Sequence, residues 1–130
     1  MNGQVYTITQ AQFAELLPAL TGADRDTMLS AARVSELLLA GMYRGQALCF
    51  LGFVPVTLVS DSAYMWMWVS PAGQSRPFLV ARHSKHVVAS VLGRWPRIVG
   101  NCTTRRAVQW LSWLGADFIG HGQFELRRAA

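Results

Sequence analysis

The sequence lacks any apolar run long enough to cross a membrane. A spanning helix needs about 18 or more consecutive apolar residues, and the richest stretch, residues 47–59, is interrupted by Gly52 and Pro55. The first ten residues, MNGQVYTITQ, also lack the basic start and apolar core of a secretory signal. We therefore expect no membrane contact and no signal peptide.

Cysteine is scarce, and its placement excludes the common metal sites. Cys49 and Cys102 belong to no metal-binding spacing, and His83 and His86, three residues apart, have no evident third ligand. We expect no bound metal, and both histidines to face solvent. A reduced pair of cysteines, with Cys49 as a small buried hydrophobe, is favoured over a disulfide.

Acidic residues are fewer than basic ones. Twelve lysines and arginines stand against seven Asp and Glu, which gives a net charge of +5, and every basic residue except Lys85 is an arginine. This balance permits a weak phosphate or polyanion contact as well as an ordinary solvated basic face. The denser basic region comprises Arg94, Arg97, Arg105, Arg106, Arg127 and Arg128.

Length and apolar content predict one domain. At 130 residues, 52% of them hydrophobic, the chain can bury a sizeable core. No internal repeat, low-complexity tract or linker divides the sequence, so we assign residues 1–130 to a single domain. Its five tryptophans indicate either core packing or an aromatic patch for docking another protein.

Two helices are predicted near the amino terminus. Thr9 and Gln12 have the spacing of a capping box, and an apolar stripe at helical spacing follows up to residue 20, with Pro18 expected to kink or end the helix. A second helix is expected from Asp24 to residue 38. Gly41 then ends the helical region.

A hairpin and a central strand are predicted next. Residues 42–47 resemble a hairpin tip that leads into a strand over residues 48–53, and residues 56–59 continue that strand or pair beside it. Residues 63–69 alternate in the manner of a strand with one aromatic face. The aromatic residues on that face are Tyr64, Trp66 and Trp68.

The sequence from residue 70 onward predicts a helix, a strand, a second helix and a second strand, in that order. A loop at residues 70–75 precedes an amphipathic helix over residues 78–92, and the strand at residues 98–99 precedes a helix capped by Thr103 or Thr104. A closing strand over residues 118–126 is broken or bulged by two glycines. The residues expected to face the core from the first of these helices are Phe78, Ala81, Val88, Val91 and Leu92. This order predicts an α+β fold, a mixed and mostly antiparallel sheet with helices on both faces.

The order and spacing of six segments carry a family resemblance. They are residues 41–56, 65–69, 78–92, 95–97, 101–116 and 122–126. In this order the chain resembles the GNAT acyltransferase fold. More narrowly, it resembles the small GNAT-like proteins of short-tailed bacteriophages, which are called internal virion proteins or phage acyltransferases.

The resemblance implies where a cofactor would bind. GNAT enzymes hold the pyrophosphate of acyl-coenzyme A on free backbone amides of a Gln/Arg-x-x-Gly-x-Gly/Ala turn that opens a helix. The corresponding residues 70–77, SPAGQSRP, contain one glycine and two prolines that cannot donate. Weak cofactor contact is implied at Gly73, Ser75 and Arg76, with Ser75 as the helix cap; the alternative is an ordinary helix-initiating loop.

The resemblance also locates the family's catalytic groups, and most of them are replaced. The tyrosine that commonly protonates the leaving thiolate corresponds to Leu111, four residues before Gly115, and leucine cannot donate a proton. The central strand holds no carboxylate or histidine to act as a base. Asn101 stands where the family's asparagine meets the pantetheine or orients the acyl donor; its alternative role is a turn or helix-capping amide.

These departures favour a protein that binds rather than catalyses, and they leave open whether the chain is an enzyme. The resemblance implies a virion or assembly protein without a cofactor, present in the virion or the host cytoplasm, whose partners are virion or host proteins. The residues assigned to interaction are Trp95, Arg97, Arg105, Arg106, Trp110 and Trp113. The alternatives are an acetyl-CoA-dependent N-acetyltransferase acting on a protein or small amine, a host-directed inhibitor, and a nucleic-acid-binding protein. The sequence assigns no oligomeric state.

Overall fold

A computed structural model of the chain describes residues 4–17, 23–57, 61–102, 104–120 and 122–128. Within these ranges the order is β1 Gln4–Thr7, α1 Gln10–Leu16, α2 Ala23–Val34, β2 Leu37–Tyr43, β3 Gln46–Pro55, β4 Ser62–Val69, α3 Pro71–Gln74, α4 Pro77–Arg94, β5 Arg97–Asn101, α5 Arg105–Trp113, β6 Asp117–Gly120 and β7 Gln123–Arg127.

The strands form a seven-stranded sheet in the order β1-β2-β3-β4-β5-β7-β6. Every neighbouring pair is antiparallel except β4 and β5, which run parallel. Parallel neighbours need a crossover, and α4 supplies it. The α+β fold with a mixed, mostly antiparallel sheet is therefore confirmed.

Helices cover both faces of the sheet. One core cluster packs α1 and α2 on the sheet through Phe13, Ala32 and Phe50, and the rings of Phe13 and Phe50 meet edge to face with centroids 4.7 Å apart. The other cluster holds the inner sides of α4 and α5, including Val88 and Leu111. Alternate residues of β4 point to the two clusters, as its alternating sequence predicted.

The capping box at the start of α1 is present as predicted. The Thr9 hydroxyl accepts the Gln12 amide at 3.1 Å, and the Gln12 side chain accepts the Thr9 amide at 2.8 Å. Two unsatisfied amides of the first turn thereby gain partners. The expected kink at Pro18 and the stripe residue Leu20 lie outside the described residues.

The predicted second helix was too long. It ends at Val34, and β2, Leu37–Tyr43, forms a strand where helix was expected to continue to residue 38. Leu38 packs in the cluster under α1 and α2, whereas Leu39 packs in the opposite one. A strand buried on both faces loses its polar alternation, so its continuous apolar run cannot be told from a buried helix.

The hairpin between β2 and β3 is as predicted, and its tip is tight. Tyr43 pairs with Gln46 across a two-residue turn. Arg44 and Gly45 both have positive φ, 51° and 76°, which is the geometry of the two-residue turns that match strand twist.

Three further expectations were wrong. The loop at residues 70–75 contains the short helix α3, and the closing segment is not one strand but the hairpin of β6 and β7. Phe78 is 89% exposed at the first turn of α4 rather than turned inward. Periodicity alone placed it inside, whereas Leu79 and Val80 are the residues of this turn that pack against the core.

The two cysteines are free thiols, and both are buried. This agrees with the predicted reduced pair. Among the described residues, no helix is both long and apolar enough to span a membrane.

Candidate functional site

The two parallel strands separate after a short stretch of pairing. β4 and β5 pair only where Ser62, Ala63 and Tyr64 lie opposite residues 97–99. β4 then continues to Val69 with β3 on its other side. The carboxyl ends of β4 and β5 thus border a cleft, and α4 and α5 begin at the same edge of the sheet. Open sheets bind ligands at this kind of edge, where parallel strands end and helices begin.

A hydrogen bond spans the cleft where the strands part. The Asn101 side-chain amide donates to the Tyr64 hydroxyl at 3.3 Å. Tyr64 is 37% exposed, and Asn101 is exposed at the end of β5. Asn101 therefore lies at the end of β5, which two further strands follow. Tyr64 is a polar group at the same place that sequence reasoning did not assign to the site.

The loop after β4 uses its own amides. The Ser70 hydroxyl accepts the Gly73 amide at 3.0 Å, and the carbonyl of Ser70 accepts the Gln74 amide at 2.8 Å. The amides of Ser75 and Arg76 donate to the carbonyls of Pro71 and Gly73 at 3.3 and 3.0 Å. Pro71 and Pro77 have no N–H to offer. Four consecutive amides of the expected phosphate cradle, residues 73–76, therefore already have partners inside the loop.

Gly73 is required by packing rather than by a ligand. A Cβ at this position would overlap the backbone carbonyl oxygen of Leu48 and lie 2.8 Å from Val69 Cγ1. Ser70 reinforces this docking because its hydroxyl donates to the Ala47 carbonyl at 2.7 Å. The short helix α3 is thus fastened to the start of β3.

Ser75 does not cap α4, contrary to the expectation. The N-cap residue is Arg76, without a side-chain capping bond, and Pro77 follows it. The Ser75 hydroxyl instead donates to the Ala72 carbonyl at 2.8 Å. Ser75 does not cap α4 because its hydroxyl is hydrogen-bonded to a carbonyl of α3.

Two arginines meet over one tyrosine at this end of the sheet. The guanidinium carbons of Arg44 and Arg76 lie 5.1 and 4.5 Å from the centre of the Tyr43 ring. Cations are attracted to the face of an aromatic ring. Sequence reasoning found Arg76 but not its two neighbours, although the hairpin tip predicted around Gly45 would have placed them at this edge.

Leu111, which the resemblance equates with the family's proton donor, has a buried apolar side chain. It is 2% exposed and belongs to the core cluster under α4 and α5. A residue packed in this way stabilises the core and offers no proton. Within the described ranges, no three of the His, Cys, Asp and Glu residues are grouped to hold a metal ion.

His83 lies in the core, not in solvent as expected. It is 4% exposed on the inner side of α4, while His86 is exposed as predicted. A Cβ on Gly41 would lie 2.8 Å from His83 Nδ1 and 2.9 Å from Cys49 Sγ, so both side chains close on the same glycine of β2. Burial raises the pKa of the Cys49 thiol to about 11, and a backbone hydrogen bond from Gly41 opposes this only in part. Cys49 is therefore protonated at neutral pH and is not a ready nucleophile.

The six residues assigned to interaction differ in how far the structure exposes them. Trp95 is 4% exposed and stacks on Phe53 at 6.4 Å, so it is a core residue and cannot dock a partner. Trp110 is half-buried against the main core cluster. Arg105 and Arg106 are exposed on α5, and Trp113 is 56% exposed at its end.

Arg97, the sixth of these residues, belongs to an ionic cluster on β5 and β7. Its Nε donates to Glu125 Oε2 at 2.8 Å, and Arg127 donates to the other carboxylate oxygen. Burial by itself raises the pKa of Glu125, but the hydrogen bonds and positive charges of Arg97 and Arg127 outweigh it and lower the pKa. Arg97 thus has an internal partner and is not a free contact residue.

Comparison with known proteins rests on structure alone. No family model matches the sequence, and no curated protein matches it. The GNAT domain of S. lividans PAT superposes with a TM-score of 0.68 at 18% identity, covering 97% of this chain and 90% of that one. The ribosomal-protein-S5-alanine acetyltransferase of Vibrio fischeri gives 0.68 at 9% identity, with 98% and 93% covered. An N-acetyltransferase from Staphylococcus aureus Mu50 gives 0.67 at 12% identity, with 98% and 99% covered.

The chain has the GNAT fold. The resemblance that the sequence segments predicted is confirmed at this level, since these solved structures match nearly the whole chain. At such low identities the likeness establishes the fold and not the reaction. The place where β4 and β5 separate is therefore the candidate functional site.

Proposed function

We propose that this GNAT-fold protein no longer transfers acyl groups and acts by binding other proteins. The observation that carries the proposal is the closed state of the loop after β4. An anion cradle needs several amides that point outward, whereas the amides of residues 73–76 are bonded within the loop and prolines occupy positions 71 and 77.

The apolar packing of Leu111 supports the same proposal. Acyl transfer from a thioester benefits from an acid that protonates the leaving sulfur. Leu111 is sealed in the core, so it supplies no such group. A tyrosine could not be accommodated there without moving its neighbours.

Exposed apolar side chains on two consecutive elements favour the proposed protein contact. Trp113 on α5 is 56% exposed, and Phe118 and Ile119 on β6 are 41% and 57% exposed. β6 is the edge strand of the sheet, so its outer backbone groups are also open to a partner strand. Tryptophan is enriched among residues that dominate binding energy at interfaces.

Calorimetry with acetyl-coenzyme A tests the loss of acyl transfer. We expect no binding heat at micromolar ligand and no acetyl transfer to polyamines or lysine peptides. Micromolar binding together with transfer to any amine would refute the proposal.

The proposed setting of the protein contact is a virion or its assembly, with a host protein as the alternative partner. Mass spectrometry of purified virions tests the first setting, and capture from host lysate tests the second. In the capture experiment, Trp113→Ala should lose a true partner. Phe78→Ala is the matched control: it changes an exposed residue at the start of α4, outside the proposed contact, and should retain the partner.

A second candidate function is an N-acyltransferase that uses acetyl-coenzyme A, and the Tyr64–Asn101 pair favours it. Direct attack of an amine on the thioester depends more on positioning than on covalent chemistry. The two side chains meet where the strands part, and Arg44 and Arg76 place positive charge at the same edge of the sheet.

Variants at the pair test this second candidate. Asn101→Ala and Tyr64→Phe should each lower acetyl transfer by roughly tenfold or more if these groups position the reactants. Tyr6→Phe removes an exposed hydroxyl on β1 as a matched control and should leave the rate unchanged. Full activity in both cleft variants would remove the pair from the reaction.

A further inference from the structure

No acidic residue lies between positions 62 and 116 of this chain. All seven Asp and Glu lie at positions up to 61 or from 117 onward. Between them, residues 62–116 contain six arginines and Lys85, together with two of the three histidines. This interval includes α4 and α5, the two helices that cover one face of the sheet.

The outer sides of these two helices form one surface. Arg82, Lys85 and His86 are exposed on α4 at helical spacing, and Lys85 Nζ lies 5.2 Å from the centre of the Trp113 ring on α5. Both helices follow parallel strands and so begin at the same edge of the sheet. We call this surface the basic helix face; it consists of Arg82, Lys85, His86, Arg105, Arg106 and Trp113.

In the described part of the chain, no ion pair joins a cation of the basic helix face to a carboxylate. The ion pairs found in the described part of the chain involve Arg94, Arg97 and Arg127. None of them includes a residue of the basic helix face. Like charges held on adjacent helices without carboxylates repel one another, and an external polyanion would relieve this repulsion.

We propose that the basic helix face binds a single-stranded nucleic acid. A strand presents evenly spaced phosphates to the arginines and lysine, and its bases offer flat rings to an exposed indole. Proteins that bind single strands without sequence preference combine a basic track with aromatic side chains in this way. The sequence pI of about 10.0 fits a protein with such an electrostatic footprint. This proposal is independent of acyl transfer.

Fluorescence anisotropy with a labelled 20-nucleotide single-stranded DNA tests the proposal on the full chain. We expect a dissociation constant of roughly 1–100 µM, which weakens steeply as salt is raised. Each phosphate contact contributes about −0.7 to the slope of log K against log salt for a single strand. Arg106→Gln should therefore reduce the slope by about 0.7, and the Arg105→Gln, Arg106→Gln double variant by about 1.4.

Two further variants separate a specific surface from net charge. Arg33→Gln removes the same charge from α2, on the opposite face of the sheet, and should change the affinity far less than Arg106→Gln. Trp113→Ala should weaken binding roughly five- to hundredfold if a base stacks on the indole. Circular dichroism would show that these exposed changes leave the fold intact.

Several outcomes would overturn the proposal. One is the absence of binding at low salt, and another is an equal loss of affinity in Arg33→Gln and Arg106→Gln. Equal affinity for polyglutamate of matched length would identify an acidic protein as the partner. Equal affinity for phosphatidylserine-containing vesicles would identify a membrane surface.

Discussion

The backbone of Leu48 and the α-carbon of Gly73 approach so closely that no side chain fits between them. A Cβ on Gly73 would overlap the Leu48 carbonyl oxygen. This contact joins the start of β3 to the short helix that follows β4, in a loop whose amides at residues 73–76 are bonded internally. The glycine that the family resemblance assigned to a cofactor is thereby explained by packing.

Gly73→Ala should destabilise the fold. The added methyl group meets backbone rather than a flexible side chain, so the loop must move, at a cost of about 1–3 kcal/mol. Gly93→Ala is the matched control, because a Cβ there meets nothing within 4 Å and alanine favours a helix by about 0.5–1 kcal/mol. Urea unfolding measures both, and equal stability of Gly73→Ala and the unaltered chain would contradict the packing role.

Leu111→Ala should cost about 2–5 kcal/mol of unfolding free energy, because a buried leucine leaves a cavity that its surroundings fill only in part. Leu111→Met conserves volume and should cost less than about 1.5 kcal/mol. Chemical denaturation of the two variants gives the comparison. A small loss in Leu111→Ala would mean that the site can collapse or is accessible to water.

Glu125 should make stability depend on pH in the acid range. Arg97 and Arg127 lower its pKa in the folded chain, so its contribution is present above the unfolded pKa, about 4.3, and is lost as pH falls through the folded value. Glu125→Gln should therefore be less stable than the unaltered chain at pH 7, with a difference that shrinks below about pH 4.

Urea midpoints between pH 7 and pH 3 measure this dependence on Glu125. Glu36→Gln serves as the control because the Glu36–Arg94 pair is half-exposed at both ends, where ion pairs contribute little. A difference between Glu125→Gln and the unaltered chain that grows in acid would have the wrong sign.

Cys49 should resist thiol reagents while the chain is folded. Burial raises its pKa to about 11, so at pH 8 only about one thiol in a thousand is ionised, and the sulfur is sealed from solvent. Iodoacetamide labelling followed by peptide mass spectrometry should modify Cys49 in urea but not in buffer. The raised pKa of Cys49 also makes the free energy of unfolding depend on pH. The contribution of the protonated thiol is complete below its unfolded pKa and is lost as pH rises through about 11. Rapid labelling of the folded chain would show that β3 opens readily.

Local patterns predicted the parts of the fold whose neighbours in sequence are also their partners in space. The capping box at Thr9, the hairpin tip at Gly45 and the alternation along β4 each depend on residues a few positions apart. Residues 37 and 38 were assigned to the end of a helix, because the strand that contains them is buried on both faces and shows no polar alternation; only pairing with β1 and β3 distinguishes it as a strand.

The candidate site was predicted by position but not by contact. Asn101 lies at the end of β5, its role toward a cofactor stays a prediction, and its partner Tyr64 is 37 positions away in sequence. Arg44 and Arg76 meet on Tyr43 only because the sheet brings the hairpin to the start of α4. Trp95 and His83 were expected at the surface, because a single sequence does not show which side of α4 and of its carboxyl end the core covers.

The sequence by itself determined the mixed α+β fold and the leucine at position 111, because periodicity and residue chemistry are properties of the chain. Only the tertiary structure decided that the loop amides are occupied, that Cys49 and His83 are buried, and that the cations of α4 and α5 share one face. Those facts depend on distances between residues far apart in sequence, which packing of the sheet and its helices sets.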